Sequence, residues 1–209
     1  MRNYKKEGEY PYHSFWLKES DYEPLTEVEY LGNFGFLFDL SDKSIPLPLN
    51  LDMDVIFSEI SFLEGYGEFS ARAKPEGNYK DYIKGLERLI YTYNVPVYVI
   101  GPKNIIQGIH PDRILPIRVD FPMEQFDGYL AVWRDDEIEV QSRTEALQYL
   151  NSKRLKVYDP CCGYLSIARF MPDCKFLFSD VNPKCLGGSL ATLKELNSEK
   201  TNEINKTDN

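Results

Sequence analysis

Long apolar runs are missing from this 209-residue chain. None approaches the roughly 20 consecutive apolar residues that a bilayer crossing needs. The opening stretch MRNYKKEGEYPYHSF also lacks the apolar core of a secretory signal. Both absences lead to the expectation of a cytoplasmic protein with no membrane part. Positive charge is scarce, with 24 Lys and Arg against 33 Asp and Glu and a net charge of −9. Such a surface repels a phosphate backbone, so a nucleic-acid partner would require a local basic patch or a basic partner protein. Histidine is limited to His13 and His110, and no C-x-x-C pair occurs among Cys161, Cys162, Cys174 and Cys185. Zinc-ligand spacing is therefore absent and no metal site is expected; in a cytosolic setting the thiols stay reduced. G-x-S-x-G, P-loop and H-E-x-x-H motifs are also missing, as are internal repeats. What the chain does have is hydrophobic content (43%), with 15 Tyr and 12 Phe. That suffices for a core and excludes a disordered composition.

The pattern predicts one α/β domain over 31–197, preceded by a polar, Tyr-rich arm or cap at 1–30 and followed by a frayed polar tail at 198–209. Strands are expected at 34–40 (FGFLFDL), 53–58 (MDVIFS), 95–100 (VPVYVI), 155–159 (LKVYD) and 175–180 (KFLFSD). A strand pair is expected at 113–119 and 128–134, with Pro116 favouring an edge position. Asn78 can cap a helix to about Tyr93 whose apolar face carries Tyr82, Ile83, Leu86, Leu89 and Ile90. Ser142 or Thr144 opens a helix to about Leu150, Tyr164 to Met171 reads as a short helix, and another runs from Lys184 to about Leu196. The glycine-containing stretch between residues 59 and 78 reads as a long functional loop. Strands alternating with helices imply a mainly parallel sheet with helices on both faces, and ligands then bind beyond the carboxyl ends of the strands.

Two constellations could carry chemistry there. In VYDPCCGYLSIARF (157–170) a strand ends in Asp159, turns through Gly163 and enters a helix; the next strand ends in Asp180. Glycine lets a ligand approach the backbone, a helix N-terminus offers free N–H groups, and a carboxylate at the second strand end suits ribose hydroxyls. By pattern alone an ordinary βαβ unit with solvated acidic residues fits equally. The second constellation is DVIFSEISF (54–62), a strand running into Glu59 and Phe62; it reads equally as a strand end without a catalytic role. The acidic run Asp135, Asp136, Glu137, Glu139 reads as a solvated turn rather than a metal site, and His110 as an exposed loop residue or, equally, a general base.

D-P-C-C-G at 159–163 with D-V-N-P at 180–183 resembles the cofactor motifs of S-adenosylmethionine-dependent amino-methyltransferases. Asp159, Pro160 and Gly163 match, and Leu165 stands where the family has its second glycine, which places a side chain near the cofactor. The 54–62 stretch resembles the family's catalytic strand and turn, with Glu59 at the polar position, Phe62 at the aromatic one, and Ile60 and Ser61 in place of two prolines. The catalytic-type strand precedes the cofactor-binding strand, which is the permuted order of β-class DNA amino-methyltransferases. The resemblance spans roughly residues 34–197 and implies a circularly permuted, Rossmann-like methyltransferase fold whose third strand is FGFLFDL and whose terminal hairpin is 113–134.

The resemblance implies S-adenosylmethionine as cofactor, with Asp159, Pro160, Cys161, Gly163 and Asp180 around it. It further implies that Glu59 accepts a hydrogen bond from a target amine and Phe62 stacks on a flipped base. The expected function is that of a methyltransferase-like protein related to DNA adenine or cytosine amino-methyltransferases. Alternatives are a catalytically inactive binding or regulatory subunit acting with a protein partner, and a methyltransferase acting on RNA or protein.

Overall fold

The computed structural model describes residues 22–60, 79–121 and 124–207. The expected long loop, Phe62 and the Asn78 cap lie outside them. The elements in chain order are β1 (Glu27–Tyr30), β2 (Asn33–Leu37), β3 (Val55–Glu59), α1 (Tyr79–Thr92), β4 (Val97–Gly101), α2 (Lys103–Gly108), β5 (Arg113–Phe121), β6 (Glu124–Trp133), α3 (Arg143–Ser152), β7 (Lys156–Asp159), a 3₁₀ turn (Ser166–Arg169), β8 (Lys175–Asp180) and α4 (Pro183–Thr207).

The eight strands form one sheet in the order β1-β2-β8-β7-β3-β4-β6-β5. Strands β2, β8, β7, β3 and β4 run parallel, while β1, β5 and β6 pair antiparallel. This is a Rossmann-like, methyltransferase-type α/β sheet in permuted order: β2 takes the third-strand slot, β8 the second, β7 the first and β3 the fourth. From β7 the chain moves to β8 on one side; from β3 it moves to β4 on the other. The β7–β3 seam is thus the topological switch point, where a crevice opens at the carboxyl edge.

Alternation along the strands divides their side chains between two cores. Val55, Phe57, Val157, Phe176 and Phe178 meet Leu147 and Leu150 of α3 and Leu186 and Leu193 of α4. Ile56, Val97, Val99 and Tyr158 meet Leu86, Leu89 and Ile90 of α1 and Ile106 of α2. Both faces of β3 and β4 are covered, which is why their sequences are continuously apolar rather than alternating. Gly35 is required for close approach: a Cβ there would lie 2.1 Å from the Phe178 ring. Pro116 lies in β5, at the free edge of the sheet, where its missing N–H is tolerated. Among the described residues no helix is long and apolar enough to cross a membrane.

The structure departs from expectation at the arm, the tail and residues 164–171. Residues 27–30 are not part of an arm: they form an edge strand on β2, and Leu25 N–H bonds the Pro183 carbonyl at 2.9 Å. The polar tail is helical to Thr207, with Ser198 Oγ bonding the Lys194 carbonyl at 3.0 Å and Lys200 Nζ reaching Pro172. A short helix, α2, follows Pro102, whose fixed φ suits a helix start. The helix expected at 164–171 is a single 3₁₀ turn over Ser166–Arg169. Asp136, Glu137 and Glu139 of the acidic run are exposed, as in a solvated turn, while Asp135 accepts from Tyr98 and, at 2.8 Å, from Tyr149. Two tyrosine hydroxyls tie that corner to β4 and α3.

Candidate functional site

The carboxyl edge collects the acidic strand ends. In register, Asp159 of β7 faces Phe178, two positions before Asp180 of β8. Tyr158 faces Ile56, so Glu59 of β3 overshoots Asp159 by two positions as well. Asp180 and Glu59 therefore flank the turn after β7, and Asp159 sits beneath them. Asp39, just past β2, closes its own turn by accepting the Ser41 N–H at 2.9 Å and hydroxyl at 2.6 Å.

Depth decides how Asp159 titrates. It is 6% exposed, and its one described hydrogen bond is a long one, from Cys161 N–H at 3.4 Å. Burial first, then the charges of Asp180 and Glu59, push its pKa up to about 8, against only partial relief from the Cys161 N–H. At neutral pH this carboxyl holds its proton. Asp180 is also raised by burial, but its carboxylate is better served. Oδ1 accepts the Asn182 N–H at 2.9 Å and Oδ2 the Gly163 N–H at 3.0 Å. Asp180 thus clamps the turn after β7 and holds Asn182, whose own Oδ1 caps the start of α4 by accepting the Lys184 N–H at 3.0 Å.

The turn itself is held from below. Cys162 N–H bonds the Ser179 carbonyl at 3.0 Å, and Ser179 Oγ donates to the Pro160 carbonyl at 3.0 Å. Gly163 adopts φ +51°, and a Cβ added there would meet no heavy atom within 4 Å, so its outer side is open. Pro160 and Cys161 complete the turn. Burial, followed by the charges of Asp180 and Asp159, pushes the Cys161 thiol well up. Because the residue surface is exposed, the two carboxylates are the firmer cause. Beside that thiol stands the Tyr82 hydroxyl of α1, which shares a 2.8 Å hydrogen bond with Ser58 Oγ of β3.

Leu165 departs from what its position in the motif suggests. Its backbone is left-handed at φ 54°, ψ 40°, a conformation that glycine adopts without strain. Its side chain does not face the turn's open side: it is fully buried within the α3/α4 core. Leucine here leaves the open side of the turn clear, and the chain tolerates the strained backbone because the side chain packs. Strain at such a residue is about 1–2 kcal/mol, while removing a buried leucine costs about 2.7–5 kcal/mol. Leu165→Gly is accordingly expected to destabilise the protein by about 2–3 kcal/mol in urea denaturation; a gain in stability would show that strain outweighs packing.

Glu59 is where the resemblance puts it, at the carboxyl end of β3, and it is already engaged. Arg143, at the first turn of α3, donates Nε to Oε1 at 2.8 Å and NH2 to Oε2 at 2.9 Å. The guanidinium is 4% exposed and the carboxylate 20%. Arg143 also stacks over the Phe170 ring at 5.1 Å. The helix start that presents it is capped by Ser142, whose Oγ accepts the Glu145 N–H at 3.2 Å. Arg143 was not singled out in the sequence; a lone arginine opening a helix carries no local sign that a strand 84 residues earlier ends in its partner. The other candidates lie elsewhere: His110 is an exposed left-handed loop residue. Among the described residues no three metal-ligating side chains converge.

The turn and Asp180 fit a cofactor carrying ribose hydroxyls and positive charge. Asp180 accepts the Asn182 and Gly163 N–H groups and is bonded also by the Cys185 thiol and the Val181 N–H, and the charges acting on the buried acid Asp159 are the like charges of Asp180 and Glu59.

No family model and no curated protein matches the sequence. Among solved structures, the chain is similar to M1.HpyAVI at 12% identity and a TM-score of 0.45, over 68% of this chain and 88% of that one. The M1.HpyAVI-SAM complex gives 10% identity and a TM-score of 0.44, over 68% and 89%. Strand order and register, rather than these overlaps, carry the description of the fold.

Proposed function

We propose that this chain is an S-adenosylmethionine-binding, methyltransferase-like protein related to the DNA adenine and cytosine amino-methyltransferases. The carrying observation is the placement of Asp159, the Gly163 turn and Asp180 together at the sheet's switch point. Asp180 would accept from the ribose hydroxyls, and Pro160, Cys161 and Gly163 would line the methionine end. The bound cofactor would supply an electrophilic methyl group on a cationic sulfur. Glu59 would orient a target amine through its remaining lone pairs, held at a fixed angle by Arg143, and Phe62 would stack on the target base. A nucleic-acid target would come with a basic partner or a local basic patch, given the net charge of −9.

The Glu59–Arg143 pair favours a second reading. A carboxylate neutralised by a bidentate guanidinium is a weak amine acceptor, and a methyltransferase-fold binding or regulatory subunit needs none. Calorimetric titration with S-adenosylmethionine tests the cofactor site; absence of heat at millimolar cofactor would overturn both readings' ligand. Asp180→Ala should weaken binding by about 1–3 kcal/mol, and unchanged affinity would move the site elsewhere. Transfer of a labelled methyl group to DNA, lost in Glu59→Ala with binding retained, supports the enzyme. Binding without transfer supports the regulatory subunit.

A further inference from the structure

Asp159 has an unusual position among the acidic groups of the carboxyl edge. Asp39 is satisfied by Ser41, Glu59 by Arg143 and Asp180 by two backbone N–H groups. Asp159 is the most enclosed of these described acids and has the poorest described partner, one N–H at 3.4 Å. Among the described residues, the side chains acting on it add negative charge or none. Asp180 approaches from β8 and Glu59 from β3. Cys161 and Cys162 lie in the turn, Tyr158 on its own strand and Tyr82 on α1; burial suppresses the ionisation of Cys162, Tyr158 and Tyr82, and the neighbouring carboxylates that of Cys161. Arg143 of α3 is locked onto Glu59.

We propose that Asp159 is a proton-exchange site, which keeps its own proton when no cation faces it and releases that proton when an onium group of the ligand, ammonium or sulfonium, is seated against it. The inference rests on the cofactor reading above and deepens it: ligand binding becomes linked to proton release. The exchange balances. The carboxyl O–H breaks, the proton leaves to solvent, and the carboxylate's charge is compensated by the incoming cation. Neutral ligands gain nothing from the exchange, so the site selects cationic ligands increasingly as pH rises toward the acid's own pKa.

The test uses the full chain and two probes, S-adenosylmethionine (cationic) and adenosine (neutral). Titration calorimetry in buffers of different ionisation enthalpy counts the protons released. At about pH 7 S-adenosylmethionine should release close to one proton and adenosine none, and affinity for the former should rise up to about tenfold per pH unit below about pH 8. Asp159→Asn should abolish the release and flatten the affinity profile. Binding without proton release, or release that persists in Asp159→Asn, overturns this proposal and leaves the cofactor reading standing. No binding of either probe overturns the cofactor reading itself. A ligand-free arm separates the two: difference titration of the wild type against Asp159→Asn should show one extra group with its midpoint near pH 8. A midpoint in the ordinary carboxylate range would overturn the proposal whatever the ligands do.

Discussion

Asp159→Asn should make the protein markedly more stable at neutral and alkaline pH while changing little near pH 4. A carboxyl that ordinarily titrates at 3.8 is held at about 8 by burial and by the charges of Asp180 and Glu59. Because the folded pKa is the higher, the native state binds the proton more tightly than the unfolded chain. Its favourable contribution is complete below the unfolded pKa and is lost as pH rises through the folded one. Each unit corresponds to about 1.36 kcal/mol, so the penalty at pH 7 is about 4 kcal/mol, levelling off above pH 8. Asparagine has the same shape, keeps an acceptor for the Cys161 N–H and carries no charge. Urea denaturation of both proteins across this range should show a difference that grows from about pH 4 to pH 8 and then stays constant. A difference independent of pH would mean that Asp159 is ionised in the folded protein. The same substitution removes the group assigned to ligand exchange, so stability and cationic-ligand affinity should move in opposite directions, as is common where a site stores an unfavourable interaction.

The Glu59–Arg143 pair should give the second large effect. Removing one member of an enclosed, bidentate pair leaves the other charge poorly compensated, a loss of about 3–5 kcal/mol. Glu59→Gln is expected toward the lower end, about 3 kcal/mol, because the carboxylate side is 20% exposed and water can enter. Glu59→Leu with Arg143→Met should recover most of the loss, since apolar replacements of both partners avoid the desolvation cost. A double-mutant cycle in thermal or urea unfolding reads the coupling directly; near-additive single effects would show that the pair contributes no specific stability. The cycle also guards the activity test. Loss of methyl transfer in Glu59→Ala counts as chemistry only where cofactor binding and folding persist.

Much of the architecture was legible in the chain itself. Apolar runs such as VIF at 55–57 and VPVYVI at 95–100 mark strands covered on both faces, Pro116 marks an edge, and the period of Tyr82, Leu86, Leu89 and Ile90 marks a buried helix face. These signals are local, set by backbone propensity and side-chain periodicity, and they survive into the sheet. Residues 27–30 were missed because EVEY becomes a strand only by pairing with β2, and two of its four residues are exposed glutamates. The 164–171 segment was misread because its helical pattern is cut short by the left-handed backbone at Leu165.

The turn from Asp159 to Leu165 shows the same division. Its residues, order and strand-end acids were set by the sequence alone, as was the permuted arrangement with the catalytic-type strand first. Only the tertiary structure decided what those acids are: Asp180 a clamp on Gly163, Glu59 the partner of Arg143, Asp159 a neutral acid beneath them. The physical reason is that ionisation and hydrogen bonding depend on depth and on neighbours brought in from distant strands. Leu165 was decided in the same way, by a core on one side of its backbone that no local pattern reveals.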